Sequence, residues 1–110
     1  MTVHIPLVLK ELFPPKLIAL CKVETFHKGD YLFKAGKTPQ KMFYIVGGQA
    51  VLTRPGVHGE ETILQRISQG FISEASLLTD KYHCDAHFNQ AGIAITIPVQ
   101  AMREAFEDLN

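Results

Sequence analysis

From Val23 onward the chain is built of short runs rich in β-branched and aromatic residues, separated by glycine-bearing turns at spacings of about 8–12 residues. That cadence is the one expected of a sandwich or roll of antiparallel strands. The expected strands are Val23 to His27, Tyr31 to Lys34, Met42 to Val46, Ala50 to Arg54, Glu61 to Ile67, Cys84 to Asn89 and Ile93 to Ile97. Between them lie the turn sequences Lys28-Gly29-Asp30, Ala35-Gly36-Lys37, Gly47-Gly48 and Ser68-Gln69-Gly70. Pro55-Gly56-Val57-His58-Gly59 reads as a longer hairpin tip.

Helical patterns flank and interrupt this β-rich part. Leu7, Leu12, Leu17, Ile18, Leu20 and Cys21 are compatible with short helices, and Pro14-Pro15 stands where a new helix can begin. Ser73 to Asp80 combines a serine able to cap, an acid in the first turn and good helix formers, which predicts a short helix inside the roll. After Pro98, Val99 to Leu109 reads as a closing helix with Met102, Ala105, Phe106 and Leu109 along one face. The expected organisation is one domain over 1–110: a helical cap at 1–22, a β-roll at 23–97 and a closing helix at 98–110.

Charge and cysteine usage narrow the function. Lys plus Arg and Asp plus Glu number 11 each, and no basic stripe is present, so direct nucleic-acid binding by this chain is not expected. Cys21 and Cys84 lie far apart with no CxxC spacing, which fits reduced thiols in a cytoplasmic protein. The start lacks a basic segment ahead of an apolar run, and no apolar stretch is long enough to span a bilayer.

A helix entered from a strand inside a closed roll leaves first-turn N–H groups unpaired, and such an end attracts an anion. The small side chains of Ser73, Ala75 and Ser76 would let a phosphate approach the backbone, and the Glu74 carboxylate could accept hydrogen bonds from a sugar hydroxyl. Three tracts carry a wider pattern: Phe26 to Gly36, Met42 to Gly48, and Gln69 to Leu78. With their glycine punctuation they resemble cyclic-nucleotide-binding domains, in the style of the bacterial Crp-Fnr transcription regulators. The resemblance runs from about Pro15 to Leu109.

The resemblance implies a phosphate-binding cassette at the Ser73 helix, with Glu74 matching the ribose-contacting glutamate and Ala75, Ser76 and Leu77 matching the cassette helix. Two positions depart from the family pattern. Ser73 stands where glycine is usual, and the phosphate-pairing arginine falls on His83 or Cys84, at nine or ten residues from Glu74. Loss of that pair should cost about 2 kcal/mol or more, and neighbouring Asp85 would repel a phosphate. The expected ligand is therefore a small effector, a cyclic nucleotide or another molecule, contacted by Ser73 to Leu77, His83 and Cys84. No other cofactor is assigned. The resemblance further implies a non-enzymatic sensor that reaches DNA only through a C-terminal domain outside this chain, in a full-length homodimer.

Strand alternation puts Cys84, Ala86 and Phe88 on one face and His83, Asp85, His87 and Asn89 on the other. The apolar set is expected to point inward, with Cys84 inert and the polar set solvated. Two imidazoles and a carboxylate at His83, Asp85 and His87 also form the ligand set of a mononuclear metal site, as in a cupin-like enzyme. A haem held by Cys84 or a nearby histidine is a related alternative, and a degenerate roll serving only in protein interaction is a third.

Overall fold

The computed structural model describes residues 5–72 and 80–107. Two short helices, α1 (Leu7–Leu12) and α2 (Pro15–Ile18), come first. Six strands follow among the described residues: β1 (Lys22–Phe26), β2 (Tyr31–Phe33), β3 (Lys41–Pro55), β4 (Glu61–Ile67), β5 (Gly70–Ile72) and β6 (Asp85–Pro98). Helix α3 (Val99–Glu107) ends the described chain. Pro15 begins α2, where its fixed φ suits the first turn and its missing N–H costs nothing.

The architecture rests on the two long strands, β3 and β6, which pair antiparallel from Lys41↔Pro98 to Thr53↔Asp85. Each contributes one half to each of two layers. In the first layer β1 pairs with the later half of β6, and β5 pairs with the early half of β3. In the second, β2 pairs with the early half of β6, and β4 pairs with the later half of β3. The inner faces of both layers meet in one cluster that includes Phe43, Ile45, Ile72 and Ala94 from the first, and Phe33, Ala50, Ile67, Ala86 and Phe88 from the second. Phe88, wholly buried, stacks on Phe26 with ring centroids 4.8 Å apart; burying a side chain of that size contributes about 1.5–3 kcal/mol.

The outer face of the first layer is covered as well. Leu9, Leu17 and Met102 from the three helices pack on Met42, Tyr44, Ile95 and Ile97. Residues 42–45 and 94–97 are consequently buried on both faces, which is why Met42 to Val46 and Ile93 to Ile97 read as continuous apolar runs.

Four sequence expectations need correction. Gly47-Gly48 does not end a strand: β3 runs through it, with register shifts at Ile45/Gly47, Gly47/Gln49 and Gln49/Ala50. The two expected strands at Cys84 to Asn89 and Ile93 to Ile97 likewise form one, β6. The cause is a close crossing of the two backbones. A Cβ on Gly48 would sit 2.5 Å from the Ala91 carbonyl oxygen, and one on Gly92 would collide with the Gly47 carbonyl and the Phe88 ring. Glycine therefore lets the paired strands bend together from one layer into the other instead of breaking them. Third, Gly70, expected to close the turn Ser68-Gln69-Gly70, begins the strand Gly70–Ile72, because Tyr44↔Phe71 pairing extends the first layer. Fourth, the closing-helix face is only partly covered: Met102 is buried while Phe106 is 47% exposed.

Candidate functional site

The segment Ser73, Glu74, Ala75, Ser76 and Leu77, expected to contact a ligand, lies outside the described residues. The structure describes the chain that precedes and follows it. Ile72, the last residue of β5, is buried in the interior cluster. Tyr82, His83 and Cys84 lead into β6.

His83 and Cys84 differ in environment. His83 is exposed, whereas Cys84 is half-buried and packs against the interior cluster beside Ala86 and Phe88, the face that alternation assigned to it. Burial pushes the Cys84 thiol above its ordinary range, the Asp85 carboxylate adds to that rise, and the Arg54 guanidinium partly opposes it. Cys84 is thus held as a neutral thiol rather than activated as a thiolate.

The polar face of this strand is less solvated than expected, with Asp85, His87 and Asn89 all half-buried. Each is drawn into packing by a neighbouring element. Asp85 Oδ1 accepts a 2.7 Å hydrogen bond from the Ala35 N–H, and Asn89 Nδ2 donates to Gln49 Oε1 at 2.9 Å. The His87 ring lies 5.4 Å from that of Tyr31. Among the described residues no three His, Cys, Asp or Glu side chains converge as a metal site would require.

Tyr82 carries weight that the sequence did not reveal. It is buried and lies flat on Phe33, with ring centroids 4.0 Å apart and planes 10° from parallel. Its hydroxyl donates to the Lys41 carbonyl at 3.0 Å. Its N–H donates to the Lys37 carbonyl, and its own carbonyl accepts from the Gly36 N–H, each at 2.9 Å. The approach to β6 is thereby tied to the Gly36–Lys41 segment. A tyrosine in a charged tract, flanked by Lys81 and His83, offers no local signal of this role.

Hollows border the roll among the described residues, and a pair of them is well defined. One, of about 520 Å³, is framed by Phe26, Phe33 and Tyr82 and rimmed by Lys34, Lys37 and Lys41. Two of these cations are engaged: Lys34 Nζ sits 4.7 Å from the Tyr31 ring centroid, and Lys41 Nζ lies 3.1 Å from Glu24 Oε1. The other, of about 900 Å³, is an apolar groove between the N-terminal helices and α3, outside the roll, with Phe13, Leu17, Phe71 and Met102 on its walls.

The family model described as the cyclic nucleotide-binding domain matches residues 23–108. The chain belongs to that family.

Solved structures agree on the fold of this cyclic nucleotide-binding domain. The sensor domain of the transcriptional regulator DNR from Pseudomonas aeruginosa superposes with a TM-score of 0.81 at 21% identity, covering 91% of this chain and 71% of that one. A second structure of DNR gives 0.82 at 22% identity, covering 91% of this chain and 47% of its own. The c-di-GMP-responsive global regulator CLP of Xanthomonas campestris gives 0.73 at 15% identity, with 81% and 44% covered. The domain thus spans less than half the length of the latter two chains. None of the curated proteins compared matches it. No helix among the described residues is long and apolar enough to cross a membrane.

Proposed function

We propose that this cyclic nucleotide-binding domain is the effector-sensing part of a Crp-Fnr-like transcription regulator, a non-catalytic binding module acting in the cytoplasm. The observation that carries the reading is the family match over 23–108, which falls on a two-layer roll whose interior is reached by Cys84. A small effector, a cyclic nucleotide or another molecule, enters beside Ser73 to Leu77, with Cys84 on the inner wall and His83 at the exposed rim. One domain over 1–110 performs this sensing, and DNA is contacted by a separate domain of a homodimeric full-length protein.

Relay follows from connectivity. The strand that begins beside Cys84 is the one that leads into α3, because β6 ends at Pro98 and α3 starts at Val99. The Val99 N–H donates to the Gln40 carbonyl at 2.9 Å, and Met102 packs on Ile95 and Ile97. An effector that favours one placement of β6 therefore favours one placement of α3, provided that it binds the two arrangements with different affinity.

Calorimetric titration with cyclic AMP and cyclic GMP, paired with NMR of the α3 backbone amides, tests both parts. The expected result is single-site binding of one nucleotide and shifted amide resonances across Val99 to Glu107. Absence of heat with both nucleotides removes the cyclic-nucleotide reading, and unshifted α3 amides at saturation remove the relay.

A further inference from the structure

The inner face of the second layer can be followed strand by strand to its open end. Ala50 and Ala86 belong to the interior cluster, and Leu52 and Cys84 pack against it. Leu52 stands opposite Ala86 on β6 and Gln65 on β4. Side chains alternate along a strand, and directly opposed residues share a face. The β3–β4 register shifts between Leu52 and Thr53, whereas the β3–β6 register runs through that step unbroken, so alternation along β3 puts Arg54, two residues beyond Leu52, on the Leu52 side of the strand. The partner of Arg54 on β4 is Thr62; the β3–β6 register ends at Thr53↔Asp85, the residues just before Arg54 on β3 and just after Cys84 on the approach to β6. At that separation the Arg54 guanidinium acts on the Cys84 thiol, pulling its pKa down against the larger effect of burial. Arg54 is exposed and makes no salt bridge among the described residues.

We propose that Arg54 supplies from β3 the guanidinium that receives the anionic phosphate of the effector, replacing the arginine missing beside Cys84. This assignment rests on the effector-binding reading above and adds the group that reading lacks. A guanidinium offers a planar fork of donors matched to two phosphate oxygens, and it stays charged at every physiological pH. Thr62 places a hydroxyl donor beside it on the same face. Asp85, expected from sequence to repel a phosphate, is on the opposite face, with its carboxylate bound to the Ala35 N–H. Arg66 provides an internal control, since it opposes Val51 and so projects from the outer face of the same layer.

The test is NMR titration of the chain with cyclic AMP, cyclic GMP and inorganic phosphate, following the Arg54 Nε–Hε resonance, with affinities measured for Arg54→Gln, Arg54→Lys and Arg66→Gln. The expected result is an Arg54 shift on binding and a loss of about 10- to 100-fold in nucleotide affinity in Arg54→Gln. Arg54→Lys should recover part of that loss, and Arg66→Gln should bind like the parent. Nucleotide binding that is undiminished in Arg54→Gln overturns the role of Arg54 while leaving the effector reading intact. An Arg54 shift with phosphate and with neither nucleotide supports the anion site and removes the cyclic-nucleotide reading. An Arg54 resonance unmoved by all three probes overturns the proposal.

Discussion

Tyr82 lies flat against Phe33 while its hydroxyl donates to the Lys41 carbonyl, so one side chain joins the approach to β6 to both β2 and the start of β3. The two halves of that anchor can be separated by substitution. Tyr82→Phe keeps the stack and loses only the hydrogen bond, for an expected cost of about 1 kcal/mol. Tyr82→Ala removes the ring from the interior and should cost about 3–5 kcal/mol, by analogy with other buried aromatic truncations. Urea denaturation of both variants measures the difference; equal losses would show that the ring contributes little.

The crossing of β3 and β6 makes neighbouring glycines unequal. An added Cβ at Gly92 meets the Gly47 carbonyl and the Phe88 ring, whereas one at Gly47 meets nothing within 4 Å. Gly92→Ala should therefore destabilise the fold by about 1–3 kcal/mol. Gly47→Ala should be neutral or stabilising by up to about 1 kcal/mol, since alanine restricts the unfolded chain without straining the folded one. Thermal melts of the pair provide the check, and a Gly92→Ala protein as stable as the parent would contradict the close approach.

Alkaline pH should weaken the fold. Burial raises the thiols of Cys21 and Cys84 above the ordinary 9.0 and raises the Tyr82 phenol above 10.0. In each case the folded chain holds its proton more tightly than the unfolded chain does. The resulting stability is fully present below the unfolded pKa and is lost as pH rises through the folded value. Denaturation midpoints should thus be insensitive to these groups at pH 7 and fall from about pH 9 upward, with a shallower fall in Cys21→Ser/Cys84→Ser. A midpoint that rises across that range would reverse the assigned sign.

Asp85 links two properties that can be measured separately. Its carboxylate accepts the Ala35 N–H and also raises the Cys84 thiol pKa. Asp85→Asn keeps an acceptor and removes the charge, so stability should change little while the Cys84 thiol titrates at lower pH. Asp85→Ala removes both and should cost about 1–2 kcal/mol as well. The pH dependence of thiol alkylation in a Cys21→Ser background reads the first effect, and urea denaturation reads the second. An unchanged alkylation profile in Asp85→Asn would show that this carboxylate does not act on Cys84.

Much of this architecture was legible in the chain itself. The apolar and β-branched runs located the strands, Pro14-Pro15 marked the entry to α2, and alternation turned Cys84, Ala86 and Phe88 inward, because each signal depends only on residues adjacent in sequence. Tertiary structure alone decided the rest. Gly48 and Gly92 read as turn punctuation until the backbones are seen to cross, and Tyr82 is unremarkable until Phe33 and Lys41 close around it. The Arg54 guanidinium acts on the Cys84 thiol only because β3 and β6 pair. A local pattern encodes period and turn chemistry; which distant residues oppose one another is set by strand pairing, and no short window of sequence contains that information.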